Sequence, residues 1–394
     1  MGMQMGGRSN RRRFFKQGAM AAGTAALGTL LARGGMPVFA AGDDEDRRPL
    51  TRGDIAILRF LAAAEEIESD LWLQYTELGG VQDNELPATS GNALYTNALT
   101  ILDGDMPQYI HDNTDDEFSH VRFLNNYLAA KGAEPVDLSR FANIPGSTAT
   151  GSSGKPRLTN LTKLTIDTSF WSRYRSITNP DFDRNAPFVQ AVPSLNVGQH
   201  TAIPRSDDDV AGSSVSDTPA TSISKHLQAI AFTAGFHFAF IEQGGTSLYA
   251  TMAQKVSSLE VLRIVLSIGG SEIMHFQTWQ DKAGNALPLT DTDPINRSTV
   301  TFADLTQAQR ETDPESLQGD TLQANLIMPE PTHFLDPSLG AVAIIRPSSV
   351  ANSGAVAAVR ALTADGLFIG QPDRTFFTFL MQLAEEADAA RRQL

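Results

Sequence analysis

Residues 117–120 read Glu117-Phe118-Ser119-His120, and residues 272–275 read Glu272-Ile273-Met274-His275. Each quartet lies in a stretch whose apolar residues recur at helical spacing. Positions three apart on a helix share one face about one turn apart, so a carboxylate and an imidazole so placed can reach one ion together. One Glu-x-x-His is a common accident among acidic helices. Two of them, each on the second member of a helix pair, are a pattern.

The partner helices precede them. From Asp54 to Leu78, Ile57, Leu58, Leu61, Ala64, Ile67, Leu71, Leu73 and Leu78 recur at steps of three and four, and Gly79-Gly80 ends the run. A second stretch follows Gly91, breaks around 103–107, and continues from Pro107, which suits a fresh helix start, to Ala130. A third runs from Ser224 to Lys255, turns at Ser257-Ser258, and a fourth runs from Leu259 to Ala283.

The first helix of each pair offers a candidate acid. Glu242 stands among Phe236, Phe238, Phe240 and Ile241, with no other acid between Ser224 and Leu259. A lone carboxylate there would lose several kcal/mol in desolvation unless it were paired, protonated or metal-bound. The first helix carries Glu65, Glu66 and Glu68. Glu66 points about 100° away from Glu65. Glu68 shares the Glu65 face and competes with it. Trp72 follows Glu65 by seven residues and Tyr249 follows Glu242 by seven, so each half reads Glu, aromatic at plus seven, then Glu-x-x-His. Both aromatics are expected to fill the core.

The 394-residue chain has 31 Lys+Arg against 45 Asp+Glu, a net charge of −14, and 41% hydrophobic residues, enough to bury a large core. An acidic chain supplies no cationic stripe for a phosphate backbone, which argues against nucleic acid. With no cysteine, disulfides, thiol catalysis, Fe–S clusters and zinc thiolates are excluded, and a metal must be held by His, carboxylate and water.

Residues 1–41 read as an export signal. Arg11, Arg12 and Arg13 precede Phe14-Phe15-Lys16, then an Ala-, Gly- and Leu-rich middle, then Val38-Phe39-Ala40-Ala41. The run resembles a twin-arginine signal, which implies recognition by that export machinery, cleavage near Ala40 or Ala41, a periplasmic or other extracytoplasmic location, and no stable membrane anchor afterwards. Cleavage removes six cations and no acid, leaving 25 basic against 45 acidic residues, or −20. Residues 42–138 then hold the first helix pair, 139–222 a Ser/Thr/Gly/Pro-rich crossover, 223–284 the second pair, and 285–394 an extension with a possible strand at Ala341 to Ile345 and a terminal helix from Asp373 to Arg391. The extension is expected to cover the helices or to make a homo-oligomer contact.

Together these motifs resemble the ferritin-like di-metal carboxylate superfamily, and more loosely its exported members related to desiccation- and stress-associated proteins. The resemblance implies a mainly α fold, a ferritin-like four-helix bundle with a long crossover between helices two and three. It implies that Glu65, Glu117, His120, Glu242, Glu272 and His275 hold two divalent ions, Fe or Mn, with Glu117 and Glu272 bridging. It implies chemistry with O2 or peroxide, of ferroxidase or manganese catalase type. A non-catalytic stress-protective or structural metal protein, and a di-iron oxidase or oxygenase of a small molecule, stay open as alternatives. A storage cage fits poorly with so long a crossover and extension. Two features depart from the family pattern, the three acids on helix one and Gly244-Gly245 just after Glu242. The remaining histidines, His111, His200, His226, His237 and His333, are expected to be structural or solvated; Asp116 is expected to be solvated, with orienting a ligand as the alternative, and the run Asp207-Asp208-Asp209 to be a solvated loop, with weak Ca²⁺ binding as the alternative.

Overall fold

The computed structural model describes residues 49–84, 86–173, 190–214, 223–305 and 354–393. Residues 1–41, read above as an export signal, His333 and the strand expected at Ala341 to Ile345 lie outside them. The fold is mainly helical. Helix α1 (Arg52–Gly79) starts at a capping box in which Thr51 Oγ1 accepts from Asp54 N at 3.0 Å and Asp54 reaches back to Thr51. The break read around 103–107 is real: a short α2 (Ala93–Leu99) is followed by α3 (Met106–Ala130), with Pro107 in its first turn. Ser224 caps α4 (Lys225–Ala253), and Ser258 caps α5 (Leu259–Ala283). Helix α4 runs unbroken through Gly244-Gly245.

The four long helices pack in two close pairs, α1 with α3 and α4 with α5. Both pairs are antiparallel, since Thr114 bonds the Trp72 carbonyl while His120 meets Glu65, and Tyr249 packs on Gly269 while Glu242 meets His275. Aromatic rings join the pairs: Trp72 stacks on Phe238 and Trp279 with centroids 4.9 and 5.3 Å apart, and Tyr75 meets Phe238 edge-on at 4.6 Å. Asp54 ties the start of α1 to the α4–α5 turn by accepting from Ser257 N at 2.8 Å. No helix among the described residues is long and apolar enough to cross a membrane.

The described residues between α3 and α4 have little regular structure, with 3-10 turns, a helical turn at Phe170–Arg173 and isolated bridges such as Ile144 with Arg157. It lies along α1, where Asp70 accepts from Leu158 N and Thr159 N at 3.0 and 2.9 Å, and buried Glu77 pairs with buried Arg157 at 2.5 Å. After α5 comes a hairpin that periodicity did not reveal, β1 (Leu289–Thr292) antiparallel to β2 (Thr299–Phe302), whose Phe302 packs on Phe232 and Phe236. Helix α6 (Ala355–Ala364) was likewise not anticipated. The terminal helix is α7 (Arg374–Ala389), and it packs on α1. Asp388 on α7 accepts from Ala355 N and Val356 N at the start of α6 and pairs with Lys255 at 2.7 Å.

Candidate metal centre

The six side chains come together. Helix α1 brings Glu65, α3 brings Glu117 and His120, α4 brings Glu242, and α5 brings Glu272 and His275. They form two overlapping groups, Glu65, Glu117, His120 and Glu272 in one, and Glu117, Glu242, Glu272 and His275 in the other, with the donor atoms of each within 4.8 Å of one another. Glu117 and Glu272 belong to both. Glu117, Glu242 and Glu272 have no solvent exposure at all, and Glu65 has 1%.

Each histidine turns Nδ1 inward. His120 Nδ1 lies 3.2 Å from Glu65 Oε2, 3.1 Å from Glu117 Oε2 and 3.6 Å from Glu272 Oε1. His275 Nδ1 lies 3.2 Å from Glu117 Oε1 and 3.3 Å from Glu242 Oε2. Yet His275 Nδ1, Glu242 Oε2 and both oxygens of Glu272 are buried without a well-aligned hydrogen-bond partner. Buried carboxylates and imidazoles crowded this closely, with several of their atoms left without a partner, could hold a cation between them.

Without a cation such a set exists only by sharing protons. Burial pushes Glu272 well above the ordinary carboxylate value, and repulsion from Glu117, Glu68 and Glu242 adds to it. Burial likewise lifts Glu117 to about 7, against the hydrogen bond of His120 and the close approach of His275. His120 shows the opposite contest: burial disfavours its charge, but the bonds and charges of Glu117 and Glu65 win and raise it to about 10. His275 is also raised, against burial, by the charge of Glu242 and the contact with Asp116. Glu65 alone goes down, because its bond to His120 and the His120 charge outweigh its burial.

A surrounding layer fixes these groups, and the sequence reading missed most of it. Asn113, one turn before Glu117, donates from Nδ2 to Glu117 Oε1 and Glu242 Oε1, both at 2.9 Å, and accepts from Trp279 Nε1 at 2.7 Å. Asp116, expected to be solvated, sits 3.0 Å from His275 Nε2. A proton on Nε2 directed at Asp116 leaves the Nδ1 lone pair facing the cluster. Tyr249, expected only to fill the core, donates its hydroxyl to Glu65 Oε1. Trp72 is the stacked core ring it was expected to be. The glycine after Glu242 also has a use: a Cβ at Gly245 would collide with Glu272 Oε2, whereas Gly244 faces open space.

The other residues singled out lie elsewhere. Glu66 accepts from Leu138 N at 2.6 Å, away from the cluster. Buried His237 contacts the Tyr75 hydroxyl at 2.8 Å, and burial lowers it to about 3. His111 meets Asp83, and His200 meets backbone carbonyls. In the run at 207–209, Asp207 and Asp208 are exposed as expected, whereas Asp209 is buried between Arg205 and His226. An open pocket of about 420 Å³, lined by Ser119, His120, Arg122, Phe123, Asn126 and Ile268, ends on His120 at the edge of the cluster.

Comparison with protein-family models, curated proteins and solved structures returns no match, so the geometry of these residues carries the functional reading.

Proposed function

We propose that the protein is a ferritin-like four-helix bundle that holds two divalent ions, Fe or Mn, and carries out oxidoreductase chemistry with O2 or peroxide. The observation that carries this reading is the sharing of Glu117 and Glu272 by two four-donor groups. Two carboxylates common to two adjacent positions are what a bridged metal pair requires. Glu65 and His120 would complete one position, and Glu242 and His275 the other. Four carboxylates and two neutral imidazoles carry −4, which balances two divalent ions.

When bound, a redox-active pair supplies two-electron chemistry toward dioxygen or peroxide. The chain's own part is positioning. Asn113 fixes Glu117 and Glu242 relative to each other, and Asp116 sets the tautomer of His275. The Tyr249 hydroxyl holds a proton at Glu65 Oε1. The pocket ending on His120 gives small solutes a route to the cluster while the aromatic stack around Trp72 closes the other side. That pocket also supports a second reading, a small-molecule oxidase whose substrate lies beside His120. The basic head and small-residue end of residues 1–41 support export by the twin-arginine machinery and an extracytoplasmic location.

The test is turnover. Protein loaded with Fe or Mn is expected to consume H2O2 or to oxidise Fe(II), and the Glu272→Ala, His275→Ala double variant is expected to lose that activity. Metal-loaded protein that turns over neither leaves the non-catalytic alternative.

A further inference from the structure

The three acids of α1 have separate environments. Glu65 is in the cluster, and Glu66 is tied to the loop after α3 through Leu138 N and Asn125. Glu68 has neither role. Its Oε1 is buried with no hydrogen-bond partner. It shares the Glu65 face of the helix, one turn on. Trp72, a further turn along that face, also leaves its Nε1 buried and unpartnered, so Glu68 is not turned back onto it. The equivalent position in the other half, three residues after Glu242, is Gly245, which has no side chain and lies against Glu272. The two halves therefore match in six donors and differ in a seventh.

Burial pushes the Glu68 carboxyl well above its ordinary range, and repulsion from Glu242, then Glu117 and Glu65, adds to this, while His275 opposes it. Asn113 bonds Glu242 and the adjacent Thr114 bonds the Trp72 carbonyl, which sets Glu242 at the level of α1 beyond Glu65, where Glu68 stands. A buried acid with a free oxygen beside four other carboxylates needs a cation or a proton, and no basic side chain among the described residues pairs with it.

We propose that Glu68 is a seventh ligand, which donates its carboxylate to the ion held by Glu242 and His275 and so makes the two metal positions unequal. This rests on the di-metal reading above. With Glu68 ionised the donor set carries −5, one more than two divalent ions neutralise and equal to one divalent plus one trivalent ion. The position beside Glu68 is the one that favours the higher charge.

Equilibrium titration with Mn(II) alone, read from the electron paramagnetic resonance of the free ion, tests this in the wild-type protein and in Glu68→Gln, Glu68→Asp and Glu66→Gln. The wild type and Glu66→Gln are expected to bind two ions with two distinct affinities. Glu68→Gln is expected to keep one and to bind the other about tenfold to a hundredfold more weakly. Glu68→Asp, which keeps the charge on a shorter stem, is expected to fall between, and it decides the matter if circular dichroism shows Glu68→Gln unfolded. Two affinities within twofold of wild type in the Gln variant, or in the Asp variant where that one decides, overturn the role of Glu68 and leave the di-metal reading standing. A wild type that binds no ion overturns both.

Discussion

Gly245 and Gly244 are neighbours on α4 with opposite demands. At Gly245 a methyl group would meet the Glu272 carboxylate, and at Gly244 it would meet nothing. Gly245→Ala is therefore expected to destabilise by about 1–3 kcal/mol and to displace Glu272. Gly244→Ala, in an exposed helix interior, is expected to stabilise by roughly 0.5–1 kcal/mol. Denaturant unfolding of the two variants, with bound metal measured beside it, checks the pair. Asp116→Asn removes the carboxylate that faces His275 Nε2 without touching the cluster itself. It is expected to weaken metal binding about tenfold or more while leaving the far-ultraviolet circular dichroism unchanged. At this scale the ligand set was legible because a Glu-x-x-His spacing is written in consecutive residues. Asn113 and the Tyr249 contact were not, and Asp116 could be raised only as an alternative, since each acts across to a helix more than a hundred residues away and carries no local spacing.

Among elements, the start of α4 is pinned by charge. His226 lies 3.1 Å from Asp209 and 2.8 Å from Asp291 of β1, and Arg205 spans Asp209 and Asp293, so the segment before α4 and the hairpin after α5 meet on one network. Burial disfavours the charge on His226, but the bonds to Asp209 and Asp291 raise it to about 9. The sign follows from the raised value. The contribution is fully present below the unfolded value near 6.5 and is lost as pH rises through about 9. The melting temperature of the wild type is expected to exceed that of His226→Gln at pH 6, and the gap is expected to close by pH 9.5. An equal gap at both pH values would contradict the assignment. The long helices were readable from three- and four-residue spacing, and the structure adds the caps Thr51, Ser224 and Ser258. The hairpin was not, because four residues of alternation next to Pro288 and Pro294 are too few to show a period. Helix α6 is mostly Ala and Val, with one buried stripe too short to stand out.

For the whole molecule, the cluster places several ionisable groups in a buried centre, and an ion that replaces their shared protons links folding to metal. His120 at about 10 and Glu117 at about 7 hold protons at pH 6, so ion uptake displaces protons and weakens as pH falls. Calorimetry in buffers of different ionisation enthalpy is expected to detect released protons, more at pH 6 than at pH 8. Binding to the folded state alone adds about 2.7 kcal/mol of stability at a free ion concentration one hundred times Kd. The crossover and the C-terminal extension take part in the same unit: Asp70 and Glu77 fasten the crossover to α1, and α7 packs on that helix from the other end of the chain. Their composition gave no sign of this, because backbone-to-carboxylate bonds such as Thr159 N to Asp70 depend on chain path and leave no repeating pattern.

Elemental analysis of the purified protein beside the Glu272→Ala, His275→Ala double variant tests the central claim most directly. Glu272 belongs to both donor groups and His275 to one, so the wild type is expected to carry two equivalents of Fe or Mn and the variant to lose both together. Metal content unchanged in a folded double variant would contradict the account.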